Sequence, residues 1–70
     1  MANYPLVKIV VSVTPTIRRR HLVRFKDGTY AFTMPDPELN SEIVDSKYIG
    51  ARCRCWFDYA CGRLAAIELI

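Results

Sequence analysis

Three cysteines and one histidine are the residues of this chain best suited to metal or nucleophilic chemistry. Cys53, Cys55 and Cys61 follow a Cys-x-Cys-x5-Cys spacing, and His21 supplies a further candidate zinc ligand. Zinc needs thiolates and imidazoles converging tetrahedrally at about 2.0–2.3 Å. Residues i and i+2 of a strand do share a face. Yet the chain has no Cys-x2-Cys knuckle and no second ligand pair. The cysteines therefore read as small core hydrophobes. Cys61 and His21 as nucleophile and base lack an orienting third group and an oxyanion hole. Asp36, Glu38, Glu42 and Asp45 fall in one segment and read as capping and solvating residues, not as a general acid/base pair or a calcium loop. The three glycines are isolated, so no loop is built to cradle phosphates. The chain reads as non-enzymatic, with no metal and no cofactor.

What remains is a basic and aromatic surface. Arg18, Arg19, Arg20, Arg24 and Lys26 occupy residues 18–26 with no acid among them. Arg52, Arg54 and Trp56 alternate along a second apolar segment and would share one face of a strand. Arginine forks bind carboxylates and phosphates bidentately, and an indole can stack on a base. The same residue types dominate protein–protein hot spots. The plainer readings are that the acids of residues 36–45 fold back over the arginines, and that Trp56 packs on Leu22, Val10 and Ile67 as a second small core.

Seventy residues make one small domain. Half the residues are apolar and a quarter charged, which excludes disorder. A domain of this size has little room for a deep substrate pocket, and self-association through an edge strand would enlarge its core. The formal net charge of +3 is modest for sequence-independent phosphate binding. An odd cysteine count argues against a disulfide scaffold. Met1 is followed by Ala-Asn-Tyr-Pro, not by a basic and then an apolar stretch. Apolar runs such as Ile9-Val10-Val11 are far too short to span a membrane. These features predict a cytoplasmic protein without membrane association.

The elements that must position these side chains are mainly strands. Leu6 to Val13 is predicted as a strand, with Val7, Ile9, Val11 and Val13 on one face and Leu6, Lys8, Val10 and Ser12 on the other. Pro15 ends it, and residues 17–20 read as already extended. His21 to Met34 reads as a hairpin closed on Asp27-Gly28. A two-residue turn there sets Lys26 opposite Thr29, Phe25 opposite Tyr30, Val23 opposite Phe32 and His21 opposite Met34. Phe25, Val23, Tyr30 and Phe32 would then share the core face, and Arg20, Leu22, Arg24 and Lys26 a basic face. Asp36 followed by Pro37 predicts an N-capped helix over residues 37–43, with Leu39 and Ile43 as its buried side. Ser46 to Phe57 reads as a strand with Ala51, Cys53, Cys55 and Phe57 inward. Residues 64–70 tolerate helix or strand, and the strand, paired back after a Cys61-Gly62 turn, is preferred.

The predicted fold is mainly β: a small five-stranded antiparallel barrel or strongly curved sheet, with one short helix between strands 3 and 4. It is similar in architecture, though in no diagnostic motif, to SH3-like and Sm-like barrels and the OB-fold. The expected function is that of a binding module docking arginines and Trp56 on an acidic partner protein, as an adaptor or inhibitor. The alternative is direct binding of RNA or single-stranded DNA.

Overall fold

The computed structural model describes residues 5–70. Five antiparallel strands form one sheet, in the order β3-β2-β1-β4-β5. They are β1 (Leu6–Pro15), β2 (His21–Phe25), β3 (Tyr30–Phe32), β4 (Arg52–Phe57) and β5 (Leu64–Leu69), with α1 (Pro37–Glu42) between β3 and β4. The central strand is shared by two halves. Leu6 to Ile9 pair with β4, and Val10 to Pro15 pair with β2. The pairing with β2 slips between Val10 and Ser12, a bulge that leaves Val11 unpaired and bends the strand.

That bulge overturns the expected division of β1. The inward residues are Val10, fully buried, and Val13, packed against the core, while Val7 and Val11 are exposed. One extra residue reverses the alternation, so a single face no longer collects Val7, Ile9, Val11 and Val13.

The hairpin forms about Asp27 and Gly28 but not in the expected register. Phe25 N–H donates to Thr29 O at 2.9 Å, and Gly28 N–H to Phe25 O at 3.1 Å. Lys26, Asp27 and Gly28 thus form a three-residue loop, with Gly28 at φ +90°. Asp27 Oδ1 accepts from Thr29 N–H at 2.9 Å and fixes the turn locally. The pairs are Arg24 with Tyr30, Val23 with Ala31, and Leu22 with Phe32. One residue of slip turns β3 over. Ala31 and Thr33 face inward and are buried, while Tyr30 and Phe32 are exposed. The expected aromatic core face is corrected to Val23 and Phe25 against Ala31. The expected basic face is in fact mixed, with Arg24 and Leu22 beside two aromatic rings.

The core holds Val10, Val23, Phe25, Ala31, Ile43, Tyr48, Cys53, Cys55 and Leu64. Phe57 meets Phe25 edge-on at a ring separation of 6.1 Å. Asp36 caps α1, its carboxylate accepting from the backbone N–H of Glu38 and Leu39 at 3.0 and 3.4 Å. Pro37 occupies the first turn, where a missing N–H is harmless. Leu39 and Ile43 are buried, as their spacing predicts.

Two segments expected to be extended are not. Residues Ile17–Arg19 form a 3-10 turn that links β1 to β2, and Ser46–Tyr48 form another. Asp45 starts the second by accepting from Lys47 N–H at 2.9 Å, so β4 begins only at Arg52. Residues 64–69 are the strand preferred from the sequence, pairing with β4 from Phe57–Leu64 to Cys53–Leu69. The sheet does not close into a barrel. Its two edges meet at one bridge, Thr33 to Leu64, where Met34 N–H donates to Leu64 O at 2.8 Å.

Candidate functional site

The structure distributes the basic residues over two regions. Ile9 and Pro15 mark them on β1. They are six positions apart, roughly 20 Å at the rise of a strand. At the Ile9 end, Lys26 and Arg52 line an open depression with Val7, Lys8, Ile9 and Asp27, about 470 Å³ in volume. Lys26 N–H donates to Ile9 O at 2.8 Å, which anchors the hairpin turn against β1 here. Lys8 reaches across the Phe25 ring, 5.2 Å from its centroid, to Asp27 Oδ2 at 2.7 Å and Thr29 Oγ1 at 2.9 Å. These hydrogen bonds, from Lys8 first and then Thr29, hold the Asp27 carboxyl well below the ordinary carboxylate range.

The outer sheet face carries the aromatic component. Tyr30 is 62% and Phe32 44% exposed, their rings edge-to-face at 6.4 Å. Arg24 is opposite Tyr30 and exposed. On β4, Arg52, Arg54 and Trp56 alternate outward while Cys53 and Cys55 are fully buried. Arg54 is engaged by Glu68 at 3.2 Å on the neighbouring strand, and Trp56 is half-buried opposite Ala66. Val10 and Ile67 belong to the main core, so the expected second small core of Trp56 with these two does not form.

At the Pro15 end, Arg18 and Arg19 line a separate cleft with His21, Pro35, Asp36, Pro37, Asn40 and Ser41, about 530 Å³ in volume. Arg20 is half-buried nearby in sequence, with its Nε buried and without a hydrogen-bond partner. The expected patch of Arg18, Arg19, Arg20, Arg24, Lys26, Arg52, Arg54 and Trp56 is therefore not one surface.

Among the described residues the acidic segment forms no ion pair with these arginines. Among the described residues the ion pairs are Lys8–Asp27, Lys47–Glu42 and Arg54–Glu68. None involves Arg18, Arg19, Arg20, Arg24, Lys26 or Arg52. Glu42 instead binds Lys47 at 2.8 Å and the Tyr48 hydroxyl at 2.7 Å, which lowers its carboxyl in that order of effect. Burial, and then that same hydrogen bond, raises the Tyr48 phenol far above its usual value. Asp36 and Asp45 serve as helix and turn caps.

Among the described residues no three His, Cys, Asp or Glu side chains cluster as metal ligands. Cys53 and Cys55 lie in the core, where burial raises both thiols, Cys55 to about 12. Cys61 is exposed in the β4–β5 turn, near Met34 Sδ at 3.7 Å. No helix of the described residues is long and apolar enough to cross a membrane.

Three features of this surface had no counterpart in the sequence reading: the outward Tyr30 and Phe32, the Lys26–Arg52 depression, and the cleft at His21. The first follows from loop length, which an Asp-Gly pair does not specify on its own. The cleft depends on Arg18 and Arg19 adopting φ of 59° and 58°, which no glycine or asparagine there signals.

Fold and site together define a small antiparallel-sheet domain with cation-bearing concavities at two ends of its central strand. No family model, curated protein or solved structure matches the chain.

Proposed function

We propose that this chain is a non-enzymatic binding module whose outer sheet face docks on an acidic partner protein, in the manner of an adaptor or inhibitor. The observation that carries this reading is the company of Arg24. It lies opposite exposed Tyr30, beside exposed Phe32, and has no carboxylate partner among the described residues. Arginine and tyrosine, ringed by apolar contacts, are the residues that supply most of the energy at protein interfaces. Lys26 and Arg52 add a second, charge-selective contact around their depression. The finer architectural likeness, to SH3-, Sm- and OB-type barrels, is part of the same proposal. A central strand shared by two halves and a bridge between the sheet edges support it.

One observation favours direct binding of RNA or single-stranded DNA. Tyr30 and Phe32 stand at i and i+2 on an exposed strand surface, a spacing that lets successive bases stack. Affinity purification with the full chain, identifying both protein and nucleic acid, separates the readings. An acidic protein retained by the wild type and lost by an Arg24→Ala, Tyr30→Ala, Arg52→Ala triple variant supports docking on protein. Retention unchanged in that variant removes this face from the interface. Binding of mixed oligonucleotides, weakening with a log–log salt slope of about −0.7 per phosphate contacted, transfers the function to nucleic acid.

A further inference from the structure

We infer that the cleft between the β1–β2 turn and α1 is a binding site for a small phosphate monoester with a flat apolar body, held by Arg18, Arg19 and His21. This site stands apart from the outer face and does not depend on the docking proposed for it.

The cleft is built from a fixed polar framework. Asn40 Nδ2 donates to the carbonyl oxygens of Met34 and Asp36, at 2.8 and 2.9 Å. The amide can satisfy both only with Oδ1 turned the other way, towards His21 and Thr33. The Thr33 hydroxyl donates to that oxygen, and Thr33 Oγ1 accepts from His21 N–H at 3.0 Å. His21 Nδ1 lies 2.8 Å from Asn40 Oδ1, an acceptor, so Nδ1 carries a proton in either charge state of the ring. Nε2 is left without a hydrogen-bond partner among the described residues, on a histidine that is 9% exposed and lines the cleft. A histidine locked through Nδ1 with Nε2 free is an oriented proton donor or acceptor.

The arginines supply the charge. Arg18 and Arg19 line the same cleft and have no ion-pair partner among the described residues. Both adopt left-handed backbone, at φ 59° and 58°, a conformation unfavourable for side chains of this size. Both residues of this strained turn line the cleft, and an arginine fork can bind an oxyanion bidentately. Asp36 also lines the cleft, and its Oδ1 is held by two helix N–H groups.

The chemistry selects phosphate over carboxylate. A phosphate monoester titrates near neutral pH and offers three terminal oxygens. Its monoanion has an O–H to donate to an unprotonated Nε2, and its dianion accepts from a protonated one. A carboxylate can meet only the protonated ring. The volume of about 530 Å³ far exceeds one phosphate group and lies in the range of whole small-molecule sites. Pro35 and Pro37 provide apolar walls for the rest of the ligand.

Titration of the full-length protein with phenyl phosphate, followed by 15N–1H NMR, tests the assignment. Saturable shifts are expected at residues 18–21 and Asn40, with a change in the His21 Nε2 resonance. Inorganic phosphate, which leaves the proline walls uncovered, and benzoate are expected to bind more weakly. Arg18→Gly and Arg19→Gly should each weaken phenyl phosphate binding by at least about tenfold, from the loss of a charged hydrogen-bond donor. Glycine suits left-handed backbone, so neither variant should melt earlier, and lost binding cannot be ascribed to unfolding. Arg63→Ala, with the same loss of charge outside the cleft, should bind as the wild type does. Absence of saturable shifts, benzoate binding as tight as phenyl phosphate, or equal weakening by Arg63→Ala would each overturn the assignment.

Discussion

Lys8 Nζ lies 2.7 Å from Asp27 Oδ2 and so fastens the central strand to the turn of the neighbouring hairpin. The lysine is largely covered and the aspartate half-exposed. With Asp27 Oδ1 engaged by Thr29, the carboxylate serves both the turn and the tie to β1. Its carboxyl is depressed below 3.8, chiefly by the Lys8 hydrogen bond. A carboxyl depressed in the folded state stabilises it above the unfolded-state value and loses that effect as pH falls through the folded one. Stability should therefore drop on acidification below about pH 4. Asp27→Asn should be less stable at neutral pH and show a shallower fall below pH 4 in urea titrations. Parallel pH profiles for the two proteins would remove Asp27 from the acid transition.

Gly28 takes the left-handed position that ends the three-residue loop, and a Cβ there would meet nothing within 4 Å. Substitution is opposed by backbone conformation alone. Gly28→Ala should cost about 1 kcal/mol, and Gly28→Asn less, since asparagine tolerates this region. Chemical denaturation measures the difference. A neutral Gly28→Ala would mean that the loop is not held in this conformation in solution.

Arg18 and Arg19 present the opposite case, because non-glycine residues occupy the left-handed region. The penalty for an L-residue there is about 1–2 kcal/mol, against about 0.5–1 kcal/mol for the extra unfolded-state freedom of glycine. Arg18→Gly and Arg19→Gly should each raise stability by about 0.5–1 kcal/mol. A decrease would show that the side chains make stabilising contacts outweighing the backbone strain.

These two turns also mark how far the sequence could be read. Apolar alternation marks β1 and β4, the latter with its start six residues early, and Asp36-Pro37 marks the helix start, because those signals are local, whereas residues 64–70 suit either helix or strand. The inward placement of Cys53 and Cys55 is legible for the same reason: β4 is regular across them. The faces of β1 and β3 were not legible, since each depends on one unpaired residue, Val11 in the bulge and the third residue of the hairpin loop. Hydrophobicity favoured burying Tyr30 and Phe32. Phe25, Ile43 and Tyr48 share the core with small, buried Ala31, and Thr33 is fully buried. Thr33 is then satisfied by Asn40 of α1, a long-range contact that no local pattern encodes.

The outward aromatic pair separates stability from binding. Tyr30→Ala and Phe32→Ala remove exposed rings, not core atoms. Each should cost less than about 1 kcal/mol, the size of a cross-strand pair. Replacing Ala31 with leucine, by contrast, forces extra methylenes into a packed site and should cost about 1–3 kcal/mol. Paired melts of these variants test the observed register directly. In the register expected from the sequence, the order of the effects is reversed.

The buried thiol of Cys55 predicts the alkaline limit of the fold. Burial lifts it from 9.0 to about 12, with further repulsion from neighbouring Cys53. Between those values the unfolded thiol ionises while the folded one keeps its proton, so the unfolded state binds fewer protons. Stability must then fall as pH rises through this window, by up to about 1.4 kcal/mol per pH unit for one group. Tyr48, whose phenol is also raised, contributes in the same direction above its ordinary 10.0. Cys55→Val supplies an apolar, β-branched side chain suited to a buried strand position and removes the titrating group. Its stability should decline less steeply than that of the wild type above pH 9 in urea titrations. Identical slopes would show that Cys55 is not shielded from water, and the inward face of β4 would have to be reassigned.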